Sequence, residues 1–239
     1  MRRTSKKINL RLLMTMVGVL IFGTPLCHIV SAEEYDYSGE GQISKPNDFE
    51  EGILSDEDPT DNNYGYYTIM GETTVTAQEM AEQYQAQDVE YPSKALEAGG
   101  AGDIETFCEI VVEEANAENV RGEVVFEQSM LETGWLTFQG DCQIEQFNFA
   151  GLGTTGGGEP GISFADVRTG IRAQVQHLKA YASSEDLNQE CVDERFEYVT
   201  RESAPYVEWL GIQENPYGGG WAAGEDYGEK IRGLLDYFQ

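Results

Sequence analysis

Apolar residues recur along the second half of the chain at helical, not alternating, spacing. Ile104, Phe107, Val111 and Ala115, with Cys108 beside them, form one stripe and predict a helix over residues 103–117. Val124, Gln128 and Leu131 share a face of a second helix over residues 121–132, preceded by Asn119, and Gly134 lies where a C-terminal cap belongs. Val167, Ile171, Val175, Leu178 and Ala182 predict a long third helix, which Ser163-Phe-Ala-Asp166 introduces as a capping box. Tyr227, Ile231, Leu234 and Phe238 point inward from a last helix over residues 225–238. Ahead of all of these, Thr76-Ala-Gln-Glu79 is a capping box that opens a short helix to about Ala86. A loop through Cys191 and an aromatic segment with Tyr206 and Trp209 join the third helix to the last. No strongly alternating strands appear, so the pattern predicts a mainly helical domain and excludes a doubly wound sheet or a sandwich.

The first 67 residues break this pattern. Residues 1–32 hold five basic residues (Arg2, Arg3, Lys6, Lys7, Arg11) and no acidic ones, followed by an apolar run over residues 12–26 that ends in Ile29-Val30-Ser31-Ala32. A basic head, a short apolar run and small residues at the end predict a secretory signal cleaved after Ala32. The run is too short for a comfortable membrane span and holds Gly18, Gly23 and Pro25. Residues 33–67 are acidic and aperiodic, and predict a solvated tether, so the domain is expected over residues 68–239.

Charge narrows the class of partner. The chain carries 15 Lys and Arg against 43 Asp and Glu, a net charge of −28. Nucleic acid is excluded as an electrostatic partner, and so is an anionic lipid surface. A mean hydropathy of −0.43 excludes a polytopic membrane protein. Signal cleavage would remove Cys27 and leave Cys108, Cys142 and Cys191, an odd number. Cys108 reads as core filler; Cys142 and Cys191 lie in polar stretches and could pair. No spacing suggests a metal, and no cofactor is expected. His177, on a helical pattern, reads as structural.

Chemistry concentrates at the end of the second helix. Glu132 would lie at a helix C-terminus, where the macrodipole disfavours an ionised carboxylate. A buried Glu132 is therefore expected to have a raised pKa, as a general acid for a glycosidic oxygen needs; the alternative is a solvated terminal carboxylate. Trp135 offers an apolar wall or a sugar-stacking face. The glycine-rich residues 153–161 lack the Lys or the strand-to-helix context of a phosphate loop and read as a surface loop beside a cleft.

Four segments resemble one family. Ser129-Met-Leu-Glu132-Thr-Gly-Trp135 resembles the Ala-x-x-Glu-Ser-Gly-Trp motif of glycoside hydrolase family 73, bacterial β-N-acetylglucosaminidases with a lysozyme-like fold that cut peptidoglycan. Asn148-Phe-Ala-Gly151-Leu152 is similar to that family's Asn-Leu-Phe-Gly-Ile motif. Ile69-Met-Gly71 with Val75-Thr76-Ala-Gln78-Glu-Met80 resembles its entry, and Trp221-Ala-Ala-Gly-Glu-Asp-Tyr227-Gly-Glu-Lys-Ile231 its closing Tyr-Ala-Thr-Asp-x-x-Tyr-x-x-Lys-Ile. The resemblance implies an α+β lysozyme-like, mainly α fold, with Glu132 as catalytic acid and Trp135, Asn148, Trp221 and Tyr227 around the substrate. Trp221 stands where the family has Tyr. Many members carry a second carboxylate on a β-hairpin lobe after the Asn motif; here about ten residues lead to the next helix, so that lobe is reduced or absent. Glu159, Glu145 and Asp141 are the candidates for the second carboxylate, and the substrate's own 2-acetamido group is the alternative nucleophile. The implied function is a secreted or wall-associated hydrolase of peptidoglycan glycan strands, cutting β-1,4 bonds after N-acetylglucosamine. A lytic transglycosylase on the same fold and a non-catalytic glycan-binding module are the competing readings.

Overall fold

The computed structural model describes residues 65–154 and 157–239. The expected signal segment and all but the end of the acidic segment lie outside the described residues. Six α-helices carry the fold: α1 (Ala77–Gln85), α2 (Ser93–Leu96), α3 (Ile104–Ala117), α4 (Gly122–Thr133), α5 (Val167–Ala182) and α6 (Tyr227–Leu235). Short 3₁₀ turns fill the connections, at Ile144–Gln146, Phe196–Tyr198 and Val207–Leu210 among others. Among the described residues strand pairing is limited to isolated bridges, Thr68 with Tyr206, Met70 with Val120 and Gly211 with Ala222. The domain is mainly α, with no β lobe among the described residues. No described helix is long and apolar enough to cross a membrane.

The capping chemistry expected for α1 is present in full: Glu79 N–H donates to Thr76 Oγ1 at 3.2 Å, and Thr76 N–H donates to the Glu79 carboxylate at 2.8 Å. Asp103 caps α3 by accepting from Thr106 N–H at 2.7 Å. At α5 the cap is Asp166 itself, which accepts from Thr169 N–H at 2.7 Å, so the helix starts three residues later than a box opened by Ser163 would place it. The last helix is also shorter than expected and tightens into a 3₁₀ turn over Asp236–Phe238. The short α2 spans four residues, too few to carry an apolar stripe that spacing could predict.

α4 is the centre of the domain. It packs against α3, α5 and α6, and every residue from Gly122 to Met130 is buried. The stripe predicts one inward face for this helix; in the structure it has almost no outward one. Four buried polar side chains therefore have to be accommodated. Glu123 accepts from Thr74 Oγ1 at 2.8 Å, Thr74 N–H at 3.2 Å and the Tyr67 hydroxyl at 3.0 Å. Tyr67 N–H also donates to Glu208 at 2.9 Å. The last residue assigned to the tether is thus part of the packed domain.

α5 fastens the long 183–226 connection. Lys179 and Glu118 form a buried ion pair at 2.9 Å, and Glu118 also accepts from the backbone N–H of Asn188 and Gln189. His177 Nδ1 lies 2.6 Å from Asp193 Oδ2, which gives the lone histidine a structural partner. Cys142 and Cys191 do not pair with each other: Cys142 is buried, with its Sγ 3.4 Å from Pro160 C=O, and Cys191 is exposed, with its Sγ 3.4 Å from Asp193 C=O. Cys108 is fully buried in the core, as its stripe predicted.

Candidate active site

Glu132 occupies the last turn of α4, where the chain leaves the helix through a left-handed turn. Gly134 caps it at φ +58°, and Trp135 and Leu136 follow at φ +59° each. Two consecutive bulky residues in the left-handed region are sterically costly and persist only where the surroundings hold them. Here Trp135 N–H donates to Met130 C=O at 2.8 Å, Leu136 N–H to Thr133 Oγ1 at 2.9 Å, and Phe138 N–H to Thr133 C=O at 2.9 Å. Leu136 is driven into the core, and Trp135 packs half-buried against Tyr84 of α1, with ring centroids 6.2 Å apart. This turn fixes Glu132 at a helix end and not within a continuing helix.

Desolvation pushes the Glu132 carboxyl up to about 7, against a hydrogen bond donated by the Tyr227 hydroxyl, which favours the ionised form. Tyr227 opens α6 and is itself buried; burial, and then the neighbouring Glu132, hold its phenol well above its usual range. Glu132 opens on a narrow slot also lined by Thr133, Phe138, Gly140, Cys142, Asn148 and Gly151. A wider hollow of about 550 Å³, between the end of α1 and the start of α3, lies apart from Glu132 and is lined by Tyr84, Tyr91, Asp88 and Asp103 among others.

The structure brings Glu132 and Tyr227 together and sets Asn148 in the same slot. The Asn148 amide is spent on backbone: Nδ2 donates to Leu152 C=O at 2.8 Å and Ile162 C=O at 3.0 Å, and Oδ1 accepts from Leu152 N–H at 2.9 Å. It clamps the wall of the slot. Trp221 is buried, edge-on to His177 at 4.8 Å and beside Tyr181, so it has no open face for a sugar. Glu145 and Glu159 are exposed, and Asp141 is half-buried between the slot residues Gly140 and Cys142. No hydrogen bond among the described residues joins any of the three to Glu132. Among the described residues no three His, Cys, Asp or Glu side chains gather as a metal site.

Two glutamines behind the site went unrecognised in the sequence as anything but helix residues. Gln128 and Gln174 are both fully buried, and Gln128 Nε2 donates to the Tyr227 oxygen at 3.0 Å. The available signal was positional: Gln174 lies three residues after Ile171 and four before Leu178, a polar side chain on an apolar stripe.

The described residues form a mainly helical domain with a desolvated carboxyl at a helix end, bonded to a tyrosine and open to a slot. Residues 108–239 match the Glucosaminidase family, described as mannosyl-glycoprotein endo-beta-N-acetylglucosaminidase, and the chain belongs to that family, glycoside hydrolase family 73. A protein of Borreliella burgdorferi, described as an uncharacterized protein, is 36% identical over 132 residues, which cover 55% of this chain and 61% of that relative. The match therefore spans less than two thirds of the relative's length. No solved structure matches.

Proposed function

We propose that the protein is an exported peptidoglycan hydrolase that cuts the β-1,4 bond after N-acetylglucosamine, with Glu132 as general acid. The observation that carries this reading is the environment of Glu132: a carboxyl in the last turn of α4, desolvated to a pKa of about 7 and facing a slot. Near neutral pH such a group holds a proton in much of its population and can pass it to the glycosidic oxygen as the bond to the anomeric carbon breaks. Family membership supports the N-acetylglucosaminide bond, and the basic, apolar head of the chain supports export.

For the second half of the reaction we propose the substrate's own 2-acetamido oxygen. It attacks the anomeric carbon while Glu132 protonates the leaving oxygen, and water then opens the cyclised intermediate with net retention. The exposure of Glu145 and Glu159 and the short connection into α5 support this over a carboxylate on an opposing lobe.

Digestion of purified wall followed by end-group analysis tests the proposal. New reducing N-acetylglucosamine ends are expected; anhydro-muramyl ends would establish a transglycosylase instead, and no new ends a binding module. Proton NMR of the nascent end should show the β anomer first. An initial α anomer would return the search to Asp141, Glu145 and Glu159. N-terminal sequencing of the mature protein checks cleavage after Ala32.

A further inference from the structure

Behind Glu132 runs an unbroken chain of side-chain hydrogen bonds linking α4, α5 and α6. The Tyr227 hydroxyl contacts Glu132 Oε1, and Gln128 Nε2 lies 3.0 Å from the Tyr227 oxygen. Gln174 Nε2 lies 2.9 Å from Gln128 Oε1 and 3.1 Å from the Val125 carbonyl oxygen. Gln174 Oε1 faces the Ser129 hydroxyl at 2.9 Å. Gln128, Ser129 and Gln174 are all completely buried.

A tyrosine hydroxyl can donate or accept, and a glutamine amide can present either end. The direction of the chain must therefore be set by a group with a single role. That group is the Val125 carbonyl, which only accepts. It holds the Gln174 NH₂ toward itself, and the second hydrogen on the same nitrogen goes to Gln128. Gln128 must then turn its oxygen to Gln174 and its nitrogen to Tyr227. The Tyr227 oxygen accepts, which leaves its one proton for Glu132 Oε1.

We infer that Gln174 is a positioning residue for Glu132: through Gln128 and Tyr227 it directs the Tyr227 hydroxyl to donate to Oε1 and leaves Oε2 to carry the transferable proton. Only that last clause rests on Glu132 being the general acid; the direction of the chain stands on the hydrogen bonds themselves. The donated bond favours the ionised carboxyl and so limits how far desolvation raises it. The titratable groups around Glu132 are Tyr227 from α6, Tyr181 of α5 behind Tyr227, and the Cys142 thiol in the slot wall. No ion pair among the described residues involves Glu132.

The test uses the full chain and the near-isosteric Gln174→Glu. A neutral carboxyl at position 174 has one hydrogen for two acceptors, so Gln128 reverses, offers its oxygen to Tyr227 and takes the proton that Glu132 received. Carbon-13 NMR of the labelled Glu132 carboxyl should then titrate higher by about one pH unit. The basic limb of kcat/KM should move with it, kcat should fall about tenfold, and KM should stay within about twofold. Tyr227→Phe should give the same shift, and the double variant no further shift. A Gln174→Glu protein with native circular dichroism and an unmoved Glu132 titration would overturn the inference. If Gln174→Glu does not fold, Gln174→Leu removes the donor that holds the Gln128 oxygen, frees Gln128 to reverse toward Tyr227, and is judged by the same titration. The controls separate the two readings: an active Glu132→Gln would remove Glu132 as the acid, while the carboxyl titration would still decide the direction of the chain.

Discussion

Glu132 and Glu127 lie on the same helix, and burial acts on both, with different consequences. Glu132 is desolvated but has Tyr227 on one oxygen and the slot before it. Glu132→Gln keeps the shape and removes the proton, so kcat on purified wall should fall by about 10²–10⁴-fold with unchanged circular dichroism. If Glu132 is the acid as proposed, wild-type activity should decline as pH rises through about 7, the value to which burial has brought this carboxyl. Glu127 is fully buried beside Gln83; neither of its oxygens has a partner, and Gln83 Oε1 also lacks one. A proton on Glu127 supplies one donor to this group of acceptors, and burial pushes its carboxyl up to about 8. The folded state then binds a proton that the unfolded chain releases near its ordinary value of 4.5. The contribution of this one group is therefore fully present below that value and is lost as pH climbs through about 8. Glu127→Gln should flatten the fall in Tm over this range, measured by thermal melts at stepped pH.

At the scale of elements, the site depends on how closely α6 approaches the 3₁₀ turn at Val207–Leu210. A Cβ at Gly228 would lie 2.3 Å from Val207 C=O and 2.6 Å from the Glu208 backbone, whereas one at Gly233, in the same helix, would meet nothing. Gly228→Ala must push the helix start away, and Tyr227 with it. It should cost about 1–3 kcal/mol and lower activity, because Glu132 loses its donor. Gly233→Ala should instead stabilise by about 0.5–1 kcal/mol with activity retained, since it removes only backbone freedom. Denaturant titration of the two variants side by side separates close packing from helix propensity.

For the molecule as a whole, the entry segment decides where the domain begins. Tyr67 reaches Glu123 on α4 and Glu208 ahead of α6, so it joins the entry segment of the domain to both elements that frame the site. A chain shortened to begin at Gly65 should fold and cleave soluble glycan like the full protein. One that begins at Thr68 leaves the buried Glu123 carboxylate a donor short and should lose about 1–3 kcal/mol, read from its denaturant midpoint. Equal midpoints would show that Tyr67 contributes nothing to the fold.

Local order was legible in the sequence wherever a few neighbouring residues determine it. The capping box at Thr76, the apolar stripes of α3 and α5 and the glycine after α4 each follow from spacing and backbone preference within one or two turns. Glu132 was legible for the same reason: a carboxylate before a glycine cap marks a helix end, and its motif needs no knowledge of what packs around it. Tertiary packing decided the rest. Whether α4 keeps an outward face depends on three packed helices at once, and which end of Gln174 meets Val125, and whether Trp221 faces a sugar or His177, depend on residues more than 40 positions apart in the chain. A stripe records that a side chain turns inward and carries no information on what it meets there. The tyrosine, two glutamines and serine behind Glu132 come from three helices, and only the folded chain places them within hydrogen-bonding distance.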